Sequence, residues 1–158
     1  MADALTDSNL VIADRIFTLL DAAKASLTYD SVTVQDVWFG DQNLVPRTPA
    51  LCVVPGFARF ELHAAQAMTE NRIETYFMLY HGPVSEEQQS LRRTVGLANV
   101  IMTWLHRNHL QLYAANGDRL TVHNHIAEME PGFAYKPKTL HHAVRMTWIS
   151  ITKTRLLA

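Results

Sequence analysis

The sequence predicts a single α+β domain: a mixed, mainly antiparallel sheet with two packed helices, in the order α-β-β-β-α-β-β. Two stretches place apolar residues at steps of three and four, the period of an amphipathic helix. Other stretches alternate apolar and polar residues, the period of a half-buried strand. The 158 residues fit one domain spanning 1–158, and 48% apolar residues are enough for a core without disulfides or metal.

Composition narrows the class of protein. Fourteen Lys and Arg against fifteen Asp and Glu give a net charge of −1, which argues against a basic nucleic-acid binder. Cys52 is the only cysteine, so no internal disulfide is expected. Asp3 and Asp7 stand where a signal peptide needs cations, and no long apolar window follows. We therefore expect a soluble protein that folds in a cytoplasm and has no membrane contact.

The first element is predicted as a helix over 10–27. Asp7 or Ser8 can cap its start. Its apolar stripe has helical spacing and consists of Ile12, Ile16, Leu19, Ala23 and Leu27. Such a stripe is typical of a helix that lies on a sheet.

Two strands are predicted next. Val32 and Val34 alternate with polar neighbours, Asp36 and the segment 40–43 interrupt the pattern, and the apolar run 51–54 ends before Pro55-Gly56. Cys52 lies within this continuous apolar run, so its side chain is expected to be buried in the core and unreactive.

A long hairpin follows. The alternating stretch 58–62 and the stretch 72–81 are its two strands. Their connection, 63–71, has no tight-turn signal, so we expect an extended loop that could reach a neighbouring molecule.

The second helix is predicted to begin near Ser85, because Ser85 and Gln88 have capping-box spacing. About half of the helix surface is apolar, so other elements must pack against a wide side of it. The apolar residues are Leu91, Val95, Leu97, Ala98, Ile101, Met102, Trp104 and Leu105.

Two closing strands complete the pattern. A turn at Asn116-Gly117-Asp118 precedes a strand over 120–126, and the last strand follows Pro137. In that last strand Trp148 and its alternate neighbours point one way, whereas Ile149 and Ile151 point the other way. This pattern predicts a second layer or a partner subunit over the second face.

One set of residues has metal-like spacing. Gly117, His123, His125 and Glu130 match the first cupin motif, and two His one residue apart on a strand share a face. However, Pro137 replaces the glycine expected further on, the second cupin motif is missing, and too few residues remain for the rest of a barrel. The alternative interpretation places both His on the solvated face of an amphipathic strand.

The other reactive side chains have simpler explanations. His106 and His109 fall in the last helical turn, where they favour the helix dipole. His141 and His142 are adjacent on a strand and point to opposite faces. The pair Arg92-Arg93 is expected to be solvated, and Trp104 and Trp148 are expected in the core, with Trp38 a possible interface residue. We predict no catalytic residue, no metal and no cofactor.

The order of elements and several local signatures resemble the tail terminator, or tail completion, proteins of tailed bacteriophages. The resemblance covers most of the chain: the opening helix 10–27, the segment Pro49-Ala50-Leu51-Cys52-Val53-Val54-Pro55-Gly56, the hairpin, the helix near Ser85, and the ending formed by 128–131 and 139–151.

This resemblance implies a structural subunit of the virion tail, assembled in the host cytoplasm. Usually six copies would form a ring on the last tail-tube ring, end tube polymerisation and provide the surface to which the head docks. Its partners would be itself, the tail tube protein and a neck or head-completion protein, while DNA passes through the lumen without specific binding. Two alternative functions stay open. One is another virion protein, a head-tail connector or neck subunit, and the other is a small metal-dependent enzyme using His123, His125 and Glu130. A third is an adaptor that docks a partner through the hairpin.

Overall fold

The computed structural model describes residues 8–63, 68–83, 87–109, 123–136 and 138–155. In chain order its elements are α1 (Ser8–Ala23), β1 (Thr28–Tyr29), β2 (Val32–Thr33), β3 (Asp36–Phe39), β4 (Ala50–His63), β5 (Met68–Pro83), α2 (Glu87–Asn108), β6 (His123–Tyr135) and β7 (Leu140–Arg155). A single 3-10 turn, Lys24–Ser26, extends α1. The predicted α+β class and the two helices are confirmed.

The main sheet has the strand order β3-β4-β5-β7-β6 within the described residues. The four long strands alternate in direction, because β4 with β5, β5 with β7, and β7 with β6 are all antiparallel pairs. Only β3 pairs in parallel, with residues 50–53 of β4. The sheet is therefore mixed but mainly antiparallel, as predicted.

Both helices pack on one face of this sheet and form one core with it. Each contributes the apolar side that its periodicity predicted, with Ile12, Ile16 and Leu20 from α1 and Leu97 and Ile101 from α2 all fully buried. The sheet contributes fully buried residues from its middle strands: Leu51, Val53, Ile73, Phe77, Leu79, Val144, Met146 and Trp148. We call the opposite face of the sheet the open face.

The region before β4 differs from the sequence prediction. Val32 lies in a two-stranded hairpin outside the main sheet, whose turn residues Asp30 and Ser31 adopt positive φ angles of 47° and 63°. Asp36 does not interrupt a strand as expected but begins β3. The reason is that Arg47 donates two hydrogen bonds to the Asp36 carboxylate, which allows that carboxylate to be buried.

The central hairpin is longer than predicted. Pairing continues to His63↔Met68, so residues 68–71 belong to β5 and not to a loop over 63–71. The connection that remains, 64–67, lies outside the described residues, as do Ser85, the turn at 116–118 and the predicted strand residues Leu120 and Val122.

A β-bulge interrupts β4 between Pro55 and Ala58. It requires glycine, because a Cβ on Gly56 would lie 2.6 Å from the Glu74 carbonyl oxygen. The extra residue exchanges the faces of the strand: Leu51 and Val53 face the core before it, whereas Arg59 is exposed after it and lies opposite Arg72. The charged end of β4 is thereby placed on the open face.

Candidate assembly surface

The two outer borders of the sheet are its most prominent unpartnered feature. β3 covers only residues 50–53 of β4, so the outer side of residues 54–63 has no neighbouring strand in the described sheet. On the opposite border, β6 pairs with β7 alone among the described strands. We call these the β4 edge (54–63) and the β6 edge (His123–Tyr135). Each presents backbone donors and acceptors to whatever lies beside it, although Pro55 and Pro131 have no N–H and the Gly56 carbonyl already accepts a hydrogen bond from Asn9 of α1.

The β6 edge contains a second bulge, between Ile126 and Glu128. It keeps Ile126 and Met129 against the core and puts both Glu128 and Glu130 on the open face, with the same orientation as His125. Uninterrupted alternation would place His125 and Glu130 on opposite faces. The three-residue spacing of Ile126 and Met129 is the sequence signal that identifies this bulge.

Both edges carry charged side chains on the open face: Glu128 and Glu130 at the β6 edge, and Arg59 beside Glu61 at the β4 edge. Glu128 and Glu130 share one cation, with Arg145 nitrogens 3.9 and 3.1 Å from their respective carboxylate oxygens. At the β4 edge, Arg59 lies directly opposite Arg72 on β5, and among the described residues neither arginine has a carboxylate within 4 Å. Two like charges directly opposite each other disfavour the pair unless an anion joins them.

Exposed aromatic side chains also lie on these edge strands. Phe57, in the β4 bulge, is 60% exposed, and Phe133 and Tyr135, at the end of β6, are 63% and 68% exposed. Aromatic residues are enriched at protein interfaces. The edges therefore combine backbone without a neighbouring strand in the described sheet, charged side chains and exposed aromatic area.

The opposite end of the open face is closed by the segment between β3 and β4. Tyr80 donates a hydrogen bond of 2.8 Å to Asp41, and the Lys136 ammonium group donates to both oxygens of the same carboxylate at 2.8 and 2.9 Å. Burial, followed by the bond to Asp41, raises the pKa of the Tyr80 hydroxyl. Cys52 is buried beneath this segment, so its predicted core position is confirmed, and burial raises the pKa of its thiol.

The structure brings two of the three proposed metal ligands together and leaves the third apart. His123 and His125 share the open face, with ring centroids 5.2 Å apart, as predicted. Glu130 pairs with Arg145 of β7, four positions along that strand from Ile149, the partner of His125, or about 13 Å. Among the described residues no three His, Cys, Asp or Glu side chains form a potential metal site. Burial lowers the pKa of His125, with smaller contributions from the charges of His123, Arg72 and His106.

The remaining histidines follow the sequence analysis. His106, in the last turn of α2, stacks against Trp148 with ring centroids 5.2 Å apart. His141 contacts Tyr80 and His142 contacts Phe133, on opposite faces of β7. Within the described residues both ring nitrogens of His81 and of His142 are buried without a hydrogen-bond partner.

The structure bears out some of the remaining expectations and not others. Trp148 is fully buried, whereas Trp104 and Trp38 are only partly buried. Arg92 is exposed as predicted, but Arg93 pairs with Asp30 at 3.0 Å. Ile149 on the open face is 1% exposed within the single chain, so its side chain is covered without a partner subunit, which the prediction of a second layer or a partner allows.

A groove of about 430 Å³ lies between α2 and the β1–β2 hairpin. Tyr29 packs there so closely that a Cβ on Gly96 would lie 2.2 Å from its ring. Its walls include Asn99, Trp104 and Arg107, without a titratable cluster suited to acid-base chemistry.

No protein-family model matches the chain, and no curated protein matches it. The described part of the chain contains no helix that is long and apolar enough to cross a membrane. An α+β domain whose described sheet has no further strand at either border is thus the class that fold and surface define.

Proposed function

We propose that this protein is a structural subunit of a tailed-bacteriophage virion, most specifically the tail terminator. It would form a ring, with six copies the expected number, on the last ring of the tail tube. The ring would end tube polymerisation and present the surface to which the head docks. The observation that carries the proposal is the pair of open edges on opposite borders of one sheet.

A ring requires a heterologous interface, in which one patch of a subunit meets a different patch of the next. The β4 edge and the β6 edge are different surfaces, with Arg59 on the first and Glu128 and Glu130 on the second. A surface that paired with itself would give a closed dimer and no ring. Unlike edges on opposite borders therefore support cyclic assembly.

The charge of the chain supports a conduit. With a net charge of −1, a ring of copies lacks the strong positive potential that would hold DNA by its phosphates. DNA would pass through the lumen without specific binding. The resemblance to terminator proteins in the opening helix, the 49–56 segment and the ending supports the same assignment.

Deletion of the gene tests the function directly. Loss of a terminator should give overlong tails, because nothing stops tube polymerisation. Loss of a head-tail connector or neck subunit should instead give tails of normal length that lack heads. Electron microscopy of the lysates, with the wild-type gene supplied from a plasmid as control, separates these two candidates.

Light scattering on the purified protein tests the ring. We expect a mass that is a multiple of 17.9 kDa, six-fold for a hexamer, with annular particles in negative stain. A protein that stays at 17.9 kDa even when tail tubes are added would contradict the proposal.

A further inference from the structure

We infer that the β6 edge of one copy pairs with the β4 edge of a second copy, so that the sheet continues from subunit to subunit. This inference deepens the proposed ring and supplies its interface. The partner is a second copy of this chain, because β6 of one copy and β4 of the next run in the opposite directions that antiparallel pairing needs. Strand direction, charge and available length all point to the same pairing.

Strand direction comes first. The four long strands alternate, so β6 runs opposite to β4 of its own chain. A second copy placed beside β6, with its helices on the same side, therefore presents its β4 antiparallel to β6. The new pair extends the existing alternation, and the two helix layers stay on one side of the continued sheet.

Available length limits the register. β3 already occupies residues 50–53 of β4, so the incoming strand can pair only with 54–63. The register that sets Arg59 opposite Glu128 pairs 123–132 with that open segment and leaves 133–135 beyond it, where β3 occupies β4. The neighbouring open-face position of β4, Glu61, then lies beside His125.

Charge selects this register over its closest competitor. Arg59 opposite Glu128 supplies a carboxylate to a guanidinium that has none within 4 Å among the described residues, and it gives Glu128 and Glu130 a second cation beside Arg145. A slip of two residues would set Arg59 opposite Glu130 but place Glu61 directly opposite Glu128. That slip brings two carboxylates together, which is destabilising.

Charge reversal gives a test with an internal rescue. R59E should turn the β4 edge acidic, and E128K/E130K should turn the β6 edge basic. Each variant alone should then oppose like charges at every interface, raising the dissociation constant for self-association by at least about tenfold. An equimolar mixture of the two variants should assemble again, because every mixed interface pairs opposite charges.

The matched control is R92E, which reverses an exposed arginine on α2 away from both edges and should assemble like wild type. Circular dichroism should show that all variants fold, since R59E only places a carboxylate opposite Arg72. Light scattering of the single variants, the mixture and the control gives the masses. A mixture that stays as dissociated as its components would overturn the inference.

A covalent readout is independent of charge. In the double variant R59C/E128C, an oxidant should link copies into a ladder on a non-reducing gel. Within one chain the two positions are three strand spacings apart, about 14 Å, which exceeds the reach of a disulfide. Native Cys52 is buried and should give no background, as R59C alone should verify at the same concentration. Absence of the ladder in an assembled sample would also overturn the inference.

The outcomes of these experiments distinguish the edge pairing from the ring proposal. A wild-type ring that is unaffected by both reversals, and that yields no ladder, removes the edge pairing and leaves the ring proposal standing. A wild-type protein that remains a single chain removes both. Assembled wild type, dissociated single variants and a reassembled mixture support the pairing.

Discussion

The two halves of β4 have different neighbours, and the difference separates what the chain completes by itself from what it leaves for another molecule. Residues 50–53 have β3 on one side and β5 on the other, and all four are fully buried. Residues 54–63 pair with β5 alone, and their open-face side chains Arg59 and Glu61 are exposed. The first half of β4 thus belongs to the buried core, and the second half, which begins at the bulge, lies at the border of the sheet.

The same contrast appears at the other border of the sheet. β7, one strand inward, carries Val144, Met146 and Trp148 in the core, whereas β6 has one neighbouring strand and ends in exposed Phe133 and Tyr135. Substitutions in the buried core should lower the free energy of unfolding. Substitutions at the β4 and β6 edges should instead weaken self-association. The following variants test that division.

The largest effect is expected from Trp148→Ala. Trp148 is fully buried in the main core, so its truncation should lower the free energy of unfolding by about 3–5 kcal/mol. Phe57→Ala, at an exposed edge position, should change it by less than about 0.5 kcal/mol while weakening self-association. Urea denaturation at a protein concentration that keeps both variants monomeric measures the difference. Equal losses of stability would contradict the division.

Arg47→Ala tests how β3 completes the first half of β4. The Asp36 carboxylate is buried and depends on Arg47 for its hydrogen bonds, so we expect a loss of about 1–3 kcal/mol in the free energy of unfolding. Adding Asp36→Asn should recover part of the loss by removing the buried charge. Arg92→Ala is the exposed control, with a change within about 0.5 kcal/mol. A double variant less stable than Arg47→Ala would contradict this account.

Gly96→Ala tests the packing of the small hairpin on α2. The added methyl group would lie 2.2 Å from the Tyr29 ring, so overpacking should cost about 1–3 kcal/mol. In a Tyr29→Ala background the same change should raise stability by up to about 1 kcal/mol, because alanine favours helix over glycine. Thermal denaturation of the four proteins gives both values. The same sign in both backgrounds would contradict the steric explanation.

The smallest effect concerns pH. Burial, then the charges of Arg93, His142 and His141, lower the pKa of His81. The unfolded chain therefore binds a proton near the ordinary pKa of about 6.5 while the folded chain does not. The free energy of unfolding should fall as the pH drops below that value, by at most about 1.4 kcal/mol per pH unit for this group. His81→Phe should flatten the curve between pH 7.5 and 5; parallel curves would exclude His81 as a source.

Periodicity was enough to predict the α+β class, both helices and the long strands, because burial on one side imposes a repeat of 3.6 or 2 residues. It could not predict β3, since Asp36 has a polar side chain whose burial depends on Arg47, a tertiary contact. Nor does the periodicity of a single sequence give the order of the strands in the sheet. That order is what places β4 and β6 at the borders. The candidate surface was therefore not predictable, although the alternating stretch 58–62 and the His123, His125 pair were identified separately. Glu130 was grouped with those histidines by linear spacing, and the distance along β6 separates them.

The alternation of the four long strands also limits how such a protein can change in size. With an even number of strands, the outermost pair of borders has opposite polarity, as edge-to-edge propagation between copies requires. Inserting one further strand at a border would make the two rims run the same way and abolish antiparallel joining, whereas inserting a whole hairpin would conserve it. Growth of this domain by evolution or by design should therefore proceed in steps of two strands.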